Sequence, residues 1–262
     1  MNISYAQNFE DIMLWRALGH IPHGFYIDVG ANDPTLDSTT RLFYDKGWNG
    51  INLEPSRQWF LRLQEERVRD INLELGAGAK DGVMEFHEFP DTGLSTLDAA
   101  VARSHEASGK FKKIVRTIEI RQLAEICAEH AAPVIHFLKI DVEGAEKGVL
   151  LGMDFERYRP WIVVIESTLP LQTRENYSDW EHIVREADYV FVYFDGLNRF
   201  YVAKEKGREL GGKFTTPPNV FDDFEMYEVT KLREENRQLI AAATSHQYQE
   251  ERQTALGEGG DT

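Results

Sequence analysis

The stretch FYIDVGANDPTLDSTTRLFYDKGWNGINLEP, residues 25–55, decides the fold of this chain. It begins with a strand-like run over residues 25–30 and ends with another over residues 50–55, and the segment 38–47 between them is helix-like. An amphipathic helix is predicted directly afterwards, over residues 56–67. This order of strand, helix, strand and helix is typical of a parallel α/β sheet.

The same alternation continues along the chain. Residues 71–79 are predicted to form a third strand and residues 82–90 a peripheral one, and residues 120–130 have helical spacing. The apolar runs at 133–144 and 161–167 suit strands that are covered on both faces. We therefore expect an α/β fold with a mostly parallel, Rossmann-like sheet and helices on both faces.

The pattern ends differently at YVFVYFDGLNRFYVAK, residues 189–204. Two apolar runs are joined there by a tight Asp-Gly-Leu-Asn turn, which is typical of an antiparallel hairpin. The later strands of a dehydrogenase domain stay parallel, so this closing antiparallel hairpin argues against that class.

Composition excludes several classes of function. A chain of 262 residues with 42% hydrophobic content can bury one main domain with an appendage. The formal net charge of -15 argues against nucleic acid as a partner. Because no run of about 18 apolar residues occurs and the first residues are polar and acidic, we expect no membrane insertion and a cytoplasmic location. The single cysteine, Cys127, excludes an intrachain disulfide.

Polar residues follow the first two predicted strands. Asp28, Gly30 and Asn32 belong to a small loop at the carboxyl end of the first strand, where α/β sheets bind ligands. Their spacing is not Gly-x-Gly-x-x-Gly, so a pyrophosphate cradle is poorly supported. Glu54 ends the second strand, at a position where an acidic side chain can accept both ribose hydroxyls of a nucleoside. The alternative role of Glu54 is that of a helix-entry residue beside Pro55.

Three segments together carry a family resemblance: DVGAND (28–33), NLEPS (52–56) and FLKIDVEGAEKGVLLG (137–152). They resemble the FkbM-type family of S-adenosylmethionine-dependent O-methyltransferases, and the resemblance covers most of residues 1–224. It implies a class I methyltransferase sheet, in which the closing hairpin is expected. It also implies S-adenosylmethionine as the cofactor.

The resemblance assigns cofactor contacts as well. The implied cofactor-binding residues are Gln7, Asp28, Gly30, Asn32, Glu54 and Asp141. Glu54 would hold the ribose, and Gln7 belongs to a leader helix, within residues 1–24, that would cap the site. Pro34 stands where a second loop glycine is often found, so no contact with the methionine end of the cofactor is assigned to that position.

Acidic residues also follow the two apolar strands. Asp141 and Glu166 end them, and Glu143 comes just after the first. The carboxyl ends of neighbouring parallel strands meet at one rim, so we expect a catalytic pocket formed by these acids, with Lys139 as the charge partner of Asp141. Two roles stay open for the acids: ligands of a divalent cation, Mg or Mn, or a base that takes the proton of an acceptor hydroxyl. For Glu146 we favour a simple helix-N-terminal carboxylate.

Other polar residues give weaker signals. Glu10 and Asp11 either cap the cofactor pocket, as the resemblance suggests, or merely start an amphipathic helix. Ser95 is a candidate contact for the acceptor. His136 is interpreted as a packed or hydrogen-bonded residue, and His182 is not assigned to the site.

The C-terminal segment, residues 227–262, differs from the rest. Val229, Leu232, Asn236 and Leu239 repeat at spacings of 3, 4 and 3, as in a coiled-coil seam, although only two heptads fit. A short frayed helix and an oligomerising coil therefore both stay open, each followed by a disordered end. The tail follows the predicted methyltransferase domain, and in the coiled-coil alternative it would mediate self-association or docking onto a glycosyltransferase. The predicted domain boundary lies after residue 226.

The leading functional hypothesis is an O-methyltransferase that acts on a sugar hydroxyl of a bacterial glycan, of the polysaccharide or O-antigen type. The saccharide acceptor is implied by the resemblance alone. One alternative is methylation of a small metabolite such as a polyketide. The other is a nucleotide-binding or scaffold module without catalysis.

Overall fold

The computed structural model describes residues 1–257, which form twelve strands and nine α-helices. The strands are β1 (Asn2–Ser4), β2 (Phe25–Val29), β3 (Asn49–Leu53), β4 (Ile71–Leu73), β5 (Gly76–Ala77), β6 (Gly82–Glu88), β7 (Ile114–Arg121), β8 (Phe137–Ile140), β9 (Ile162–Glu166), β10 (Tyr189–Phe194), β11 (Asn198–Ala203) and β12 (Phe224–Met226). The helices are α1 (Glu10–Leu18), α2 (Arg41–Asp45), α3 (Arg57–Glu66), α4 (Ala99–Ala107), α5 (Leu123–His130), α6 (Glu146–Leu151), α7 (Glu181–Glu186), α8 (Gly207–Leu210) and α9 (Tyr227–Gly257). Among these described helices, none has the combination of length and apolar composition that spanning a membrane requires.

The larger of two compact units, Tyr5–Asp222, contains a central sheet of seven strands. Their order is β10-β11-β9-β8-β2-β3-β4, and all neighbours from β9 to β4 are parallel. The chain runs outward from β2 through β3 to β4, and it later returns to the other side of β2 through β8 and β9. This reversal places a topological switch point between β2 and β8, which is where open α/β sheets bind ligands. The predicted mostly parallel sheet is confirmed.

Successive residues of a strand point to opposite sides of the sheet. Because consecutive residues of the central strands are apolar, both faces of the sheet are apolar. Ile27 is in register with Leu138 and belongs to a core layer covered by α5, α6 and α7. Tyr26, one residue earlier, is in register with Phe137 and belongs to the opposite layer, covered by α1, α2 and α8. Each fully buried apolar side chain contributes about 1.5–3 kcal/mol. The predicted helices on both faces are therefore present, and they hold the sheet edge of the site rigid.

The closing hairpin consists of β10 and β11. Strand β11 inserts between β9 and β10 and runs antiparallel to both of them. The turn covers the predicted Asp-Gly-Leu-Asn sequence: Asp195 N donates to the carbonyl oxygen of Asn198 at 3.1 Å, and Gly196 has a φ of +101°. Glycine adopts this left-handed conformation without steric cost, which explains its place in the turn.

A second, three-stranded sheet in the order β5-β7-β6 corrects two predictions. The predicted strand over 71–79 is split, since β4 joins the central sheet and β5 pairs with β7. The helix predicted over 120–130 begins only at Leu123, because Ile120 and Arg121 pair with β5. Strand pairing over a distance in sequence overrides the local helical spacing here.

The first predicted helix is also shorter than expected. Residues 38–47 were expected to be helical, and the structure confines the helix to Arg41–Asp45. Asp37, just before this segment, has a φ of +56°, and Thr40 Oγ1 donates to Asp28 Oδ2 at 3.0 Å. These features hold residues 38–40, which precede the helix, in a loop that contacts β2.

The smaller compact unit comprises Met1–Ser4 and the chain from Asp223 onward. Strand β1 pairs in parallel with β12, and α9 then continues for 31 residues to Gly257. The predicted helix of the tail is thus present, and it is longer than the short helix considered from the sequence. Coiled-coil pairing stays a prediction, and the remainder of the predicted disordered end lies outside the described residues.

Candidate active site

The candidate site is centred on the switch point between β2 and β8. Gly30 directly follows β2, and Asp141 directly follows β8. Gly30 has a φ of +84°, and a Cβ atom at this position would lie only 1.8 Å from the carbonyl oxygen of Asp141. The ends of the two strands are also joined, since Asp141 N donates to the carbonyl oxygen of Val29 at 2.9 Å. A side chain at position 30 is therefore excluded.

A cavity of about 500 Å³ lies at this switch point. Eight of the residues predicted from the sequence line it: Gln7, Asp28, Gly30, Asn32, Lys139, Asp141, Glu143 and Glu166. The remaining wall is formed by the leader, by residues 37–39 and 93–94, by the loop 168–173 after β9, and by the hairpin turn at 196–197. The structure therefore brings together residues that lie far apart in the sequence.

Glu54, the ninth predicted residue, lies in a smaller adjoining cavity of about 60 Å³. Leu53, Leu75, Ala77 and Phe86 give this cavity an apolar lining. The two cavities share four lining residues, Gly30, Asn32, Gly93 and Asp141, so the switch point connects them. The slot combines an apolar lining with a carboxylate, which are the chemical features that a base and its ribose require.

Hydrogen bonds fix the carboxylate of Glu54. Its Oε2 accepts from the backbone N-H of Asn32 at 2.8 Å, and its Oε1 accepts from that of Ser56 at 2.7 Å. Each carboxylate oxygen has a second lone pair left for a ligand donor. Burial raises the pKa of Glu54 to about 7, and the two backbone hydrogen bonds oppose this increase.

Lys139 supplies the positive charge of the large cavity. Its side chain is 3% exposed, and its Nζ donates to Asp141 Oδ2 at 3.0 Å and to Asn198 Oδ1 at 2.7 Å. Burial opposes the charged form, yet the carboxylates of Asp141, Glu10 and Glu166 raise the pKa of Lys139. The predicted pairing of Lys139 with Asp141 is therefore present.

Three acids converge beside this pair. One carboxylate oxygen from each of Asp141, Glu143 and Glu166 lies within 4.8 Å of the other two. Oε2 of Glu143 and Oε2 of Glu166 are buried without a hydrogen-bond partner among the described residues. Burial, reinforced by Asp141 and Glu146, raises the pKa of Glu143 to about 9, and burial with the charge of Asp141 likewise raises the pKa of Glu166. Once deprotonated, these carboxyl groups can bind a cation or accept a proton.

The backbone around Glu143 has an uncommon conformation. Glu143 has a φ of +52° and Gly144 one of +99°. A left-handed conformation is unfavourable for a residue with a side chain, and such residues cluster at functional sites. Thr96 Oγ1 donates to the carbonyl oxygen of Glu143 at 2.7 Å, so the segment around residue 93 is tied to this strained turn.

The loop before α2 fixes the carboxylate of Asp28 by a hydrogen bond. Thr40 Oγ1 donates to Asp28 Oδ2 at 3.0 Å, and the buried guanidinium of Arg67 donates to Thr40 in turn. Asp28 is also the parallel-strand partner of Lys139. Burial raises the pKa of Asp28 to about 6, against the lowering effect of Lys139. Asp28 is thus a positioned carboxyl group in the wall of the large cavity.

Glu10 belongs to the cavity wall, although the sequence left its role open. Its Oε1 accepts from Thr39 Oγ1 at 3.0 Å, and its Oε2 accepts from the backbone N-H of Asn8 at 2.9 Å. Burial raises the pKa of Glu10 to about 7, while Lys139 lowers it. The acidic start of the leader helix was the available signal, and it equally fits an ordinary helix N-terminus.

The weaker candidates take different positions. Ser95 lines the smaller cavity, where its Oγ accepts from the backbone N-H of Phe89 at 3.1 Å. Glu146 Oε1 accepts from Gly144 N at 2.9 Å, which agrees with its interpretation as a local helix-start carboxylate. His136 is buried, and its Nδ1 accepts from the N-H of Phe25 at 3.0 Å. His182 is exposed and lines neither of these cavities.

The wall formed by residues 168–173 was not predicted. Thr168, Leu171, Gln172 and Thr173 follow β9 and border the large cavity. Their sequence has the composition of an ordinary loop, and only the fold places it over the strand ends. The sequence therefore predicted the residues at the strand ends and not those of this side wall.

A protein-family model described as the methyltransferase FkbM domain matches residues 28–191, which is more than half of the chain. The match begins at Asp28 and includes Gly30, Glu54, Asp141 and Glu166. No curated protein matches the chain in sequence.

Proposed function

Because the chain belongs to the FkbM methyltransferase family, we propose that it is an S-adenosylmethionine-dependent O-methyltransferase that modifies a sugar hydroxyl of a bacterial glycan in the cytoplasm. One observation carries this proposal. The bare backbone of Gly30 lies against the carbonyl oxygen of Asp141 at the junction of two cavities, one with an apolar lining and Glu54, the other with a lining of acids. A nucleoside with a charged extension suits the first cavity and the junction, and a hydroxyl acceptor suits the second.

The residues present fit the cofactor. The smaller cavity offers apolar side chains to the adenine, and Glu54 offers free carboxylate lone pairs to the ribose hydroxyls. Gly30 allows the cofactor to approach the backbone closely, and Asp28, Asn32 and Gln7 border the path toward the larger cavity. Bound there, S-adenosylmethionine would supply an electrophilic methyl group.

The chain itself has to position the acceptor oxygen and receive its proton. Alignment of an acceptor inside a cavity supplies a large part of the rate of a displacement reaction. Glu166 and Glu143 each line the cavity with an oxygen that has no hydrogen-bond partner among the described residues, so either group, in its deprotonated form, can accept the proton of the hydroxyl. Lys139 is a positioning residue, because it holds Asp141 and Asn198 in place.

The same acids have a second possible role as ligands of a divalent cation. Asp141, Glu143 and Glu166 offer three oxygens within 4.8 Å of one another, and magnesium and manganese prefer oxygen ligands. Glu166 is 7% exposed, and its unpartnered Oε2 lacks the hydrogen bond that a buried carboxylate requires. A cation held there would lower the pKa of a coordinated hydroxyl. We therefore include magnesium or manganese binding in the proposal.

The saccharide acceptor rests on the resemblance to the family. The alternative acceptor is a small hydroxylated metabolite, and an assay with a panel of glycosides and free metabolites separates the two. Turnover of metabolites without turnover of any glycoside would favour the alternative. The non-catalytic alternative would be excluded by methyl transfer that disappears in Asp141→Asn.

Calorimetric titration of S-adenosylmethionine into the protein tests the cofactor proposal directly. We expect one-site binding to the wild type, at least tenfold weaker binding to Glu54→Gln, and unchanged binding to the control Glu65→Gln. Glu65 is exposed on α3, so its replacement changes the charge without touching the cavity. A wild type that does not bind the cofactor, with or without magnesium, would refute the proposal.

A further inference from the structure

The large cavity has an unusual charge balance. Six carboxyl side chains line it, namely Glu10, Asp28, Asp37, Asp141, Glu143 and Glu166. Among the described lining residues, Lys139 is the single basic side chain, and no arginine is present. Acids therefore surround the space in which the acceptor must lie.

The positive charge of Lys139 is paired within the cavity wall. Its ammonium group donates to Asp141 and Asn198, and its side chain is 3% exposed. Sites for phosphate or carboxylate ligands normally present an arginine fork or an accessible lysine. The described lining of this cavity contains neither group.

The unpredicted side wall offers uncharged groups instead. Thr168, Gln172 and Thr173 provide hydroxyl and amide groups, and Leu171 and Leu197 provide aliphatic surface. Hydroxyl and amide groups can exchange hydrogen bonds with sugar hydroxyls, and aliphatic surface can pack against a sugar ring.

We propose that this site selects its acceptor by charge: it accepts neutral and amino sugars, and it rejects sugars that carry a carboxylate or phosphate group beside the reacting hydroxyl. The inference rests on the proposed function and narrows its substrate class. A like charge within a few ångströms changes an equilibrium in a partly buried site about tenfold to thousandfold. We therefore expect uronate acceptors to have at least a hundredfold lower kcat/KM than matched neutral ones, which corresponds to about 2.8 kcal/mol.

The test uses several hexose stereoisomers, each as the neutral methyl glycoside, its 2-amino analogue and its uronate. Transfer of a radiolabelled methyl group from S-adenosylmethionine gives kcat/KM for each compound. The expected result is turnover of neutral and amino forms, with the uronate of the same stereoisomer at least a hundredfold poorer. Equal or better turnover of a uronate overturns the inference.

A charge variant sharpens the test. Asp37 is an exposed residue at the cavity wall, so Asp37→Asn should fold normally and should raise the uronate-to-neutral ratio of kcat/KM severalfold. Glu85→Gln, on the exposed part of β6, removes the same charge elsewhere and should leave the ratio unchanged. A ratio that Asp37→Asn does not raise counts against the inference.

Failure of the proposed function would look different, because then no sugar in any charge form is methylated even though the cofactor binds. Saturation-transfer NMR on the cofactor-loaded protein still decides the question of charge in that case. Binding by neutral and amino sugars without binding by uronates supports the inference. Binding of uronates as strong as that of neutral sugars, or binding by no sugar at all, overturns it.

Discussion

Replacement of Gly30 by alanine should weaken cofactor binding about a hundredfold and destabilise the sheet at the same point. The new Cβ atom would lie 1.8 Å from the carbonyl oxygen of Asp141, whereas Cβ atoms in proteins essentially never come closer than 3.0 Å to such an atom. The two strand ends must therefore separate by at least 1.2 Å, the difference between these distances. This separation would stretch the bond from Asp141 N to Val29 O, which is now 2.9 Å long.

The structure sets the size of the expected effect. A residue with a side chain costs roughly 1–2 kcal/mol at the positive φ of Gly30, and loss of one backbone hydrogen bond costs about 1 kcal/mol. The free energy of unfolding should fall by about 2–3 kcal/mol, which lowers the melting temperature by about 4–12 °C in a domain of this size. A displacement of about 1 Å at a binding wall also costs about a hundredfold in a reaction that depends on alignment. We expect a comparable loss of cofactor affinity.

Differential scanning calorimetry and cofactor titration measure the two effects. Gly82→Ala is the matched control, because Gly82 lies in strand β6 and a Cβ atom there would meet nothing within 4 Å. The control should melt and bind as the wild type does. Wild-type cofactor affinity in Gly30→Ala, with a melting temperature within about 1 °C of the control, would refute the close approach at the switch point.

Three further predictions follow from the site and the tail. Burial raises the pKa of Glu54 to about 7, and we propose that its carboxylate accepts the ribose hydroxyls, so the affinity for S-adenosylmethionine should be about tenfold weaker at pH 6 than at pH 8. Calorimetric titrations of Glu54→Gln should show no such dependence. Glu166→Gln should weaken the binding of Mn²⁺ at least tenfold, as measured by electron paramagnetic resonance, because Glu166 offers one of the three clustered oxygens. The control Glu156→Gln, at an exposed position, should bind Mn²⁺ as the wild type does. If both variants weaken binding equally, the cation is removed from the proposal. Exposed apolar residues repeat along α9 at coiled-coil spacing. In sedimentation velocity the full chain should therefore form a dimer or larger oligomer, and a chain ending at Met226 should be a monomer. The same oligomeric state for both chains would contradict this prediction.

Much of the central sheet could be predicted because its strands carry strong local signals. The runs around Ile27, Leu138 and Val163 are apolar on both faces, and such runs are typical of strands sandwiched between helices. The hairpin turn at Asp195–Asn198 could likewise be predicted from its Asp-Gly-Leu-Asn sequence. In the small sheet, strand β6 was predicted over residues 82–90, but β7 and its pairing with β5 lacked such a signal. Half of the residues of β7 are exposed, and its pairing with β5 joins segments more than 40 residues apart.

The candidate site divides in a similar way. Acids at strand ends could be read from the sequence, since parallel strands deliver their carboxyl ends to one rim. Glu10 could not be separated from an ordinary helix-start residue, because both roles need an acidic side chain at the same position. The loop 168–173 could not be located at all, since its place over the cavity depends on how the chain leaves β9.

Asp70 is a buried acid whose surroundings differ from those of Glu143 and Glu166. Its carboxylate accepts hydrogen bonds from Tyr26 Oη at 2.7 Å, Gly50 N at 2.9 Å and other donors, and it pairs with Arg67. These bonds compensate for burial, so Asp70 has a sufficient structural role. Glu143 and Glu166 keep buried oxygens without such partners among the described residues, and they do so in the wall of a cavity. A buried carboxyl group that the fold does not satisfy can interact with what the cavity binds: a proton from an acceptor, or a cation. Few hydrogen-bond donors face these carboxyl groups, which favours a proton or a cation as their ligand. The same lack of donors disfavours binding of an anion.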